Sequence, residues 1–142
     1  MRSAETLVLD THVFLWFYAG VRVSRKVVAR IERAAAANAL HIAAMTPWEI
    51  AMGARAGRIR LRGNVLEWIE TALKSTAVGI APIAPAVAVD AVDLPGNWQH
   101  GDPIDRLIVA TARHLDAMLV TADAEILDYA RQAKAVRVLE PS

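Results

Sequence analysis

The chain has 142 residues, and Leu, Ile, Val and Phe supply 40 of them, which suits one packed domain and is too apolar for a disordered chain. It contains no cysteine, which excludes disulfide scaffolds, thiolate nucleophiles and thiolate-held zinc or iron–sulfur centres. Sixteen Lys and Arg against fifteen Asp and Glu leave a formal charge of +1, so net charge indicates no broad polyanion-binding surface, although a local patch stays open.

Short apolar runs alternate with helical patterns. Thr6-Leu7-Val8-Leu9 reads as a buried strand ending at Asp10. The very apolar stretch around Phe14, Leu15, Trp16, Phe17 and Tyr18 reads as a first helix, either fully buried or part of a partner-binding face. Ser24 to Ala37 opens on a capping Ser and repeats Val27, Val28 and Ile31 at helical spacing. Leu40 to Ala44 is a second strand. Thr46-Pro47-Trp48-Glu49 then carries the marks of a helix start: a capping Thr, a proline at the first position and a Glu three residues after the cap. Val65 to Ser75 is expected to turn Leu66, Ile69 and Leu73 inward. Val78 to Ala81 is a third strand and Ala86 to Val92 a short helix.

Asp93 to Gly101 is the least regular stretch and reads as a surface loop. Asp102 to His114 follows as a helix beginning Asp-Pro, with Leu107, Ile108 and Thr111 as its inner stripe. Ala117 to Thr121 is a fourth strand, Ala124 to Ala133 a helix, and Val136 to Leu139 a fifth strand. The alternation predicts an α/β chain: a three-layer α/β/α sandwich around a mainly parallel sheet of about five strands, a single domain spanning residues 1–142. Glu5 and Asp10 interrupt the start, which does not read as a signal peptide. The uncharged, apolar run Val78 to Val89 holds two prolines in 12 residues and is too short to span a bilayer. A soluble, cytoplasmic protein is the expectation.

In open α/β sheets, ligands collect at the carboxyl ends of the strands, near the point where strand order reverses. Asp10, Glu49, Asp105 and Asp123 all fall within reach of that edge. Each has a purely structural role open to it. Asp10, Asp102 and Asp123 can cap helices, Glu49 can close a capping box with Thr46, and Asp105 complements a helix dipole. Taken together they would crowd negative charge into one place. Two carboxylates about 4 Å apart repel by about 4 kcal/mol at an effective dielectric near 20. Raised pKa values or a bound cation relieve such crowding, and oxygen ligands without cysteine favour Mg²⁺ or Mn²⁺.

Four segments carry a family resemblance. They are Val8-Leu9-Asp10-Thr11-His12-Val13-Phe14-Leu15-Trp16, Thr46-Pro47-Trp48-Glu49-Ile50, the run His100-Gly101-Asp102-Pro103-Ile104-Asp105-Arg106 continuing to Ala112, and Leu119-Val120-Thr121-Ala122-Asp123. In this order they resemble PIN-domain proteins, specifically the bacterial VapC-type toxins, from about Thr6 to Leu139. The resemblance implies a metal-dependent ribonuclease with acidic residues at Asp10, Glu49, Asp105 and Asp123. It implies a homodimer neutralised by a cognate antitoxin, and suggests a transfer RNA or ribosomal RNA target. On this reading Asp10 and Asp105 ligate the ion directly. Glu49 and Asp123 bind it through water, or hold a second ion and orient the attacking water. Asp102 belongs to the Asp-Pro-x-Asp pattern and ranks behind Asp105.

Several neighbours have two readings each. Thr11 and Thr121 hydrogen-bond the acids or simply end strands and start helices. His12 is a base or phosphate donor, or a helix-start residue packed beside the site. His100 touches substrate or is solvated. Arg106, and the run Arg55, Arg58, Arg60 and Arg62, hold RNA phosphates; otherwise the run is a solvated helix end and Arg106 pairs with a site carboxylate. Trp98 is the tryptophan best placed to meet RNA or a partner, whereas Trp68 lies in an apolar stripe and reads as core. Two other functions stay open. A haloacid-dehalogenase-like phosphohydrolase would carry a second Asp where His12 stands, and no phosphate-cradling P-loop occurs. The other is a module that binds RNA or protein without catalysis.

Overall fold

The computed structural model describes residues 4–99 and 101–142. His100 therefore lies outside the described residues. Twelve elements follow in chain order: β1 (Leu7–Leu9), α1 (Thr11–Ala19), α2 (Arg25–Ala36), β2 (Leu40–Ala43), α3 (Thr46–Arg55), α4 (Val65–Thr76), β3 (Gly79–Ala81), α5 (Pro85–Val92), α6 (Pro103–His114), β4 (Met118–Val120), α7 (Ala124–Ala133) and β5 (Arg137–Leu139). The strands form one parallel sheet in the order β3-β2-β1-β4-β5. This is the expected α/β/α architecture with five strands.

The central strand explains the layering. Leu7, Val8 and Leu9 are all fully buried, because a parallel strand flanked on both faces has no solvent side. Val8 packs with Leu119, Ile108 and Ile126 in the layer of α5, α6 and α7. Leu7 and Leu9 pack with Phe14, Ile31, Ile50 and Ile69 in the layer of α1 to α4. Burying side chains of this size removes roughly 1.5–3 kcal/mol each of unfavourable hydration. α6 is enclosed on much of its circumference, with Ile104 and every residue from Ile108 to Ala112 buried. It touches β1, β2 and β4, and so spans the middle of the sheet.

The helical stripes differ from expectation in one place. Ile69 and Ala72 are the buried residues of α4, while Leu66 is 63% exposed. The inward stripe is centred on Val65, Ile69 and Ala72, and Leu66 stands one helical step, about 100°, past its edge. The apolar first helix is neither fully buried nor bare. Val13 and Phe14 are core, and Leu15 to Tyr18 are half-buried against it. Trp68 meets Tyr18 edge-on at 5.3 Å, as a core residue should.

The loop after α5 is tied down at Pro95, Gly96 and Trp98. Tyr129 donates its hydroxyl to the Pro95 carbonyl at 2.6 Å. Trp98 stacks on the Tyr129 ring at 4.4 Å and packs on the core. Trp98, half-buried, is thus part of the loop's anchor. Gly96 sits at φ +87°, and a Cβ there would lie 2.7 Å from the Ala133 Cβ. Gly96→Ala is expected to destabilise the fold by about 1–3 kcal/mol, from left-handed strain plus overpacking. Urea unfolding checks this; a variant as stable as the parent would show that the loop shifts freely.

Candidate active site at the carboxyl edge of the sheet

The strand order reverses between β1 and β4. β1 continues through α1 and α2 to β2 on one side, and β4 continues through α7 to β5 on the other. Such a reversal opens a crevice at the carboxyl ends of the two strands. Asp10 directly follows β1 there, and its N–H donates to the Val120 carbonyl at 3.0 Å, extending the pairing one residue past the strand.

Asp10 caps α1, and its carboxylate is only 9% exposed. Oδ1 accepts from the Thr11 N–H at 2.8 Å and Oδ2 accepts from the Thr121 hydroxyl at 2.7 Å. Burial pushes its pKa above the usual carboxylate value. The two hydrogen bonds oppose this, the Asp123 charge adds to it, and His12 pulls weakly the other way. Thr121 serves both acids, because its Oγ1 also accepts from the Asp123 N–H at 3.0 Å. Asp123 caps α7 in turn, with Oδ1 accepting from Glu125 and Ile126.

Glu49 stands in the first turn of α3, half-buried. The expected capping box with Thr46 does not form. Met45 occupies the cap position in helical conformation without a side-chain bond, and Thr46 is already helical. Glu49 instead accepts from the Thr11 hydroxyl of α1, and Thr46 Oγ1 lies 3.1 Å from that same hydroxyl. Thr46 was not foreseen as part of this cluster. Burial raises the Glu49 pKa, the Thr11 bond opposes it, and the charges of Asp10, Asp105 and Asp102 raise it further.

Asp102 caps α6, accepting from the Ile104 N–H at 2.9 Å, and is exposed. Asp105 is half-buried in the first turn of the same helix. The acids thus share one field: Asp123 acts on Asp10, and Asp10, Asp105 and Asp102 act on Glu49. They also cap helices, and the two roles coexist. Capping occupies Oδ1 of Asp123 and Oδ1 of Asp102, and the Thr11 bond occupies Oε1 of Glu49. Each of these three carboxylates keeps a second oxygen, whereas both oxygens of Asp10 accept hydrogen bonds.

The donor set is hard: carboxylates and threonine hydroxyls, with no sulfur. Among the described residues, no three acidic or histidine side chains stand close enough to enclose an ion by themselves. Such an edge fits a hydrated divalent cation, which keeps several waters and takes one or two carboxylates directly.

The remaining candidates fall around this core. His12 is exposed, its ring 6.1 Å from that of Trp16. Arg106 adjoins Asp105 in sequence, yet it donates to the carbonyls of Ala91, Val92 and Trp98. These bonds make it a clamp holding the end of α5 and the following loop to α6. Arg55, Arg58, Arg60 and Arg62 are exposed along the end of α3 and the loop after it. Trp48, beside Glu49, is 51% exposed.

Comparison with known proteins agrees with this geometry. Residues 7–132 match the PIN domain family. The chain is 38% identical over 122 residues to Ribonuclease VapC22 of Mycobacterium tuberculosis (strain ATCC 25618 / H37Rv), covering 85% of this chain and 89% of that one. Three solved structures share the fold. VapBC2 from Rickettsia felis, bound to a DNA fragment from its promoter, aligns with a TM-score of 0.71 at 14% identity, over 95% of this chain and 98% of that one. DNA-bound VapBC from Salmonella typhimurium gives 0.67 at 14%, over 97% and 99%. A toxin–antitoxin complex from Klebsiella pneumoniae gives 0.59 at 20%, over 96% and 98%. With an acidic carboxyl edge, a five-stranded parallel sheet and a match over nearly its whole length, the chain belongs to the PIN-domain family, among its VapC-type members.

Proposed function

We propose that this chain is a metal-dependent endoribonuclease, the toxin of a toxin–antitoxin pair, and that Asp10, Glu49, Asp105 and Asp123 carry its chemistry. The observation that supports this most is the electrostatic convergence of acids from the starts of four different helices on the β1–β4 crevice. Kinship with a protein named a ribonuclease supports RNA as the substrate. Transfer RNA or a ribosomal RNA loop is the target class suggested by the family.

Asp10 and Asp105 would hold Mg²⁺ (or Mn²⁺), with Glu49 and Asp123 engaging it through water. The ion, when bound, supplies charge neutralisation at the phosphate and lowers the pKa of an attacking water. The water oxygen would form a bond to phosphorus as the bond to the leaving ribose oxygen breaks, and that oxygen would take up a proton from solvent to leave as a hydroxyl. Glu49, raised in pKa and keeping Oε2 for this purpose, is suited to take the proton that the water loses. Thr121 and the Thr11 N–H hold Asp10 in one orientation, so its charge needs no rearrangement during the step. Asp102 caps α6 and adds to the field, while the exposed arginines after α3 are available to RNA phosphates.

An antitoxin is the natural partner on this reading, since solved neighbours are toxin–antitoxin complexes, and a homodimer is the expected assembly. A cytoplasmic location suits both. No helix among the described residues is long and apolar enough to cross a membrane.

Asp10→Asn should lose RNA cleavage by at least about 100-fold, as expected when an electrostatic contact to the transition state is removed. It should also lose the stabilisation that Mg²⁺ or Mn²⁺ gives the parent, while still folding. Cleavage of total RNA and thermal melting with and without ion check both; full metal-dependent cleavage by the variant would sink the assignment. A pH effect follows from burial. Asp10 and Glu49 have folded pKa values above their unfolded ones, so between those values the folded state binds more protons. Their contribution to metal-free stability therefore grows as pH falls from neutrality through the raised values, and fades as pH rises. Metal-free unfolding, followed as the pH is lowered from neutrality toward the ordinary carboxylate range, should show this gain for the parent and a smaller one for Asp10→Asn; equal pH dependence would contradict it.

A further inference from the structure

We infer that Thr46 is a positioning residue for the Glu49 carboxylate, acting through the hydroxyl of Thr11. The consequence for metal binding rests on the function proposed above; the contact itself does not. Thr46 is the first residue of α3 and its side chain is fully buried, at 0% exposure. Its Oγ1 lies 3.1 Å from Thr11 Oγ1, and Thr11 donates to Glu49 Oε1. A hydroxyl has one proton to give. Thr11 gives its proton to Glu49, so the proton between the two threonines comes from Thr46. The order runs Thr46 to Thr11 to Glu49.

Two plainer roles for Thr46 do not fit. A capping threonine would accept from an N–H in the first turn, but α3 makes no such bond and Met45 holds the cap position. A space-filling β-branched residue needs no hydroxyl, and burying one costs free energy unless it is bonded. What the hydroxyl adds is the bond to Thr11. A donor that itself accepts a hydrogen bond is polarised and donates more strongly. The link also joins two helices that leave different strands. Thr11 follows Asp10 at the end of β1, and Thr46 and Glu49 follow β2. Glu49 has a flexible side chain whose rotamers would otherwise be free. Thr46, buried behind Thr11, sets where that side chain points.

The test uses the full chain and two complementary variants. Thr46→Val keeps the shape and removes the hydroxyl; Thr46→Ser keeps the hydroxyl. In metal-free protein, urea unfolding of Thr46→Val, Glu49→Ala and the double variant should be non-additive. The double variant's folding equilibrium should depart by at least about twofold from the product of the single effects, and the departure should vanish in a Thr11→Val background. Calorimetric titration with Mn²⁺ should show binding weakened roughly 2- to 10-fold in Thr46→Val and restored in Thr46→Ser. Thr46→Ala carries the same measurements should Thr46→Val not fold. Additive unfolding overturns the inference, as does unchanged Mn²⁺ affinity in Thr46→Val where the parent binds. A parent that takes up no Mn²⁺ while the unfolding cycle stays non-additive defeats the metal-dependent reading and leaves the positioning of Glu49 standing.

Discussion

The carboxyl edge of this sheet is organised around keeping one carboxylate buried. Asp10 lies at the end of the most enclosed strand in the molecule, where its backbone has no freedom to move outward. A charge in such a place is costly unless hydrogen bonds compensate it. The compensation comes from two directions: the N–H of Thr11, next in sequence, and the hydroxyl of Thr121, 111 residues away. The second bond ties β1 to β4 at the level where they diverge. It also passes order onward, because the same Thr121 oxygen receives the Asp123 N–H and so sets the start of α7. Geometry at one acid thereby determines geometry at another.

Helix capping and ligand binding look like competing explanations for these acids, and chemically they are not. A carboxylate has two oxygens and about four lone-pair positions. A cap needs one or two of them. The structure divides the labour by oxygen: Asp102 and Asp123 cap through Oδ1, and Glu49 is held through Oε1. Capping is then an aid to binding. It fixes the rotamer of each carboxylate before any ligand arrives, which reduces the entropy lost on binding.

The elements were legible because each carries a local signal. The strands are short apolar runs, and Ser24, Asp102 and Asp123 mark helix starts by their own chemistry. The four acids could be gathered from order along the chain and the rule that sites form where strand order reverses. What could not be read is where a side chain turns when two local partners compete. Thr46 and Glu49 stand at the spacing of a capping box, yet both turn to Thr11, 35 and 38 residues earlier. Arg106 adjoins an acid in sequence but reaches back to carbonyls at the end of α5. Trp98 lies in an irregular loop, and only the tertiary position of Tyr129 packs it against the core. Each of these depends on long-range packing, to which a spacing of three or four residues is blind.

The crowding of acids raises a question of balance that the topology answers. In a parallel sheet every crossover helix that follows a strand starts at the carboxyl edge. α1, α3 and α7 do so directly after β1, β2 and β4, and α6 delivers Asp102 and Asp105 from its own first turn. A helix N-terminus carries roughly half a positive charge from its unpaired N–H groups. Four such termini oppose the field of the carboxylates that begin them, and the hydroxyls of Thr11 and Thr121 oppose it further. These dipoles and hydroxyls offset part of the acids' mutual repulsion, while burial, with the neighbouring acids adding to it, keeps the pKa values of Asp10 and Glu49 raised. An edge neutralised only in part by dipoles still attracts a divalent ion. On the proposed function, that residual charge is what leaves the ion both held and able to act on a phosphate.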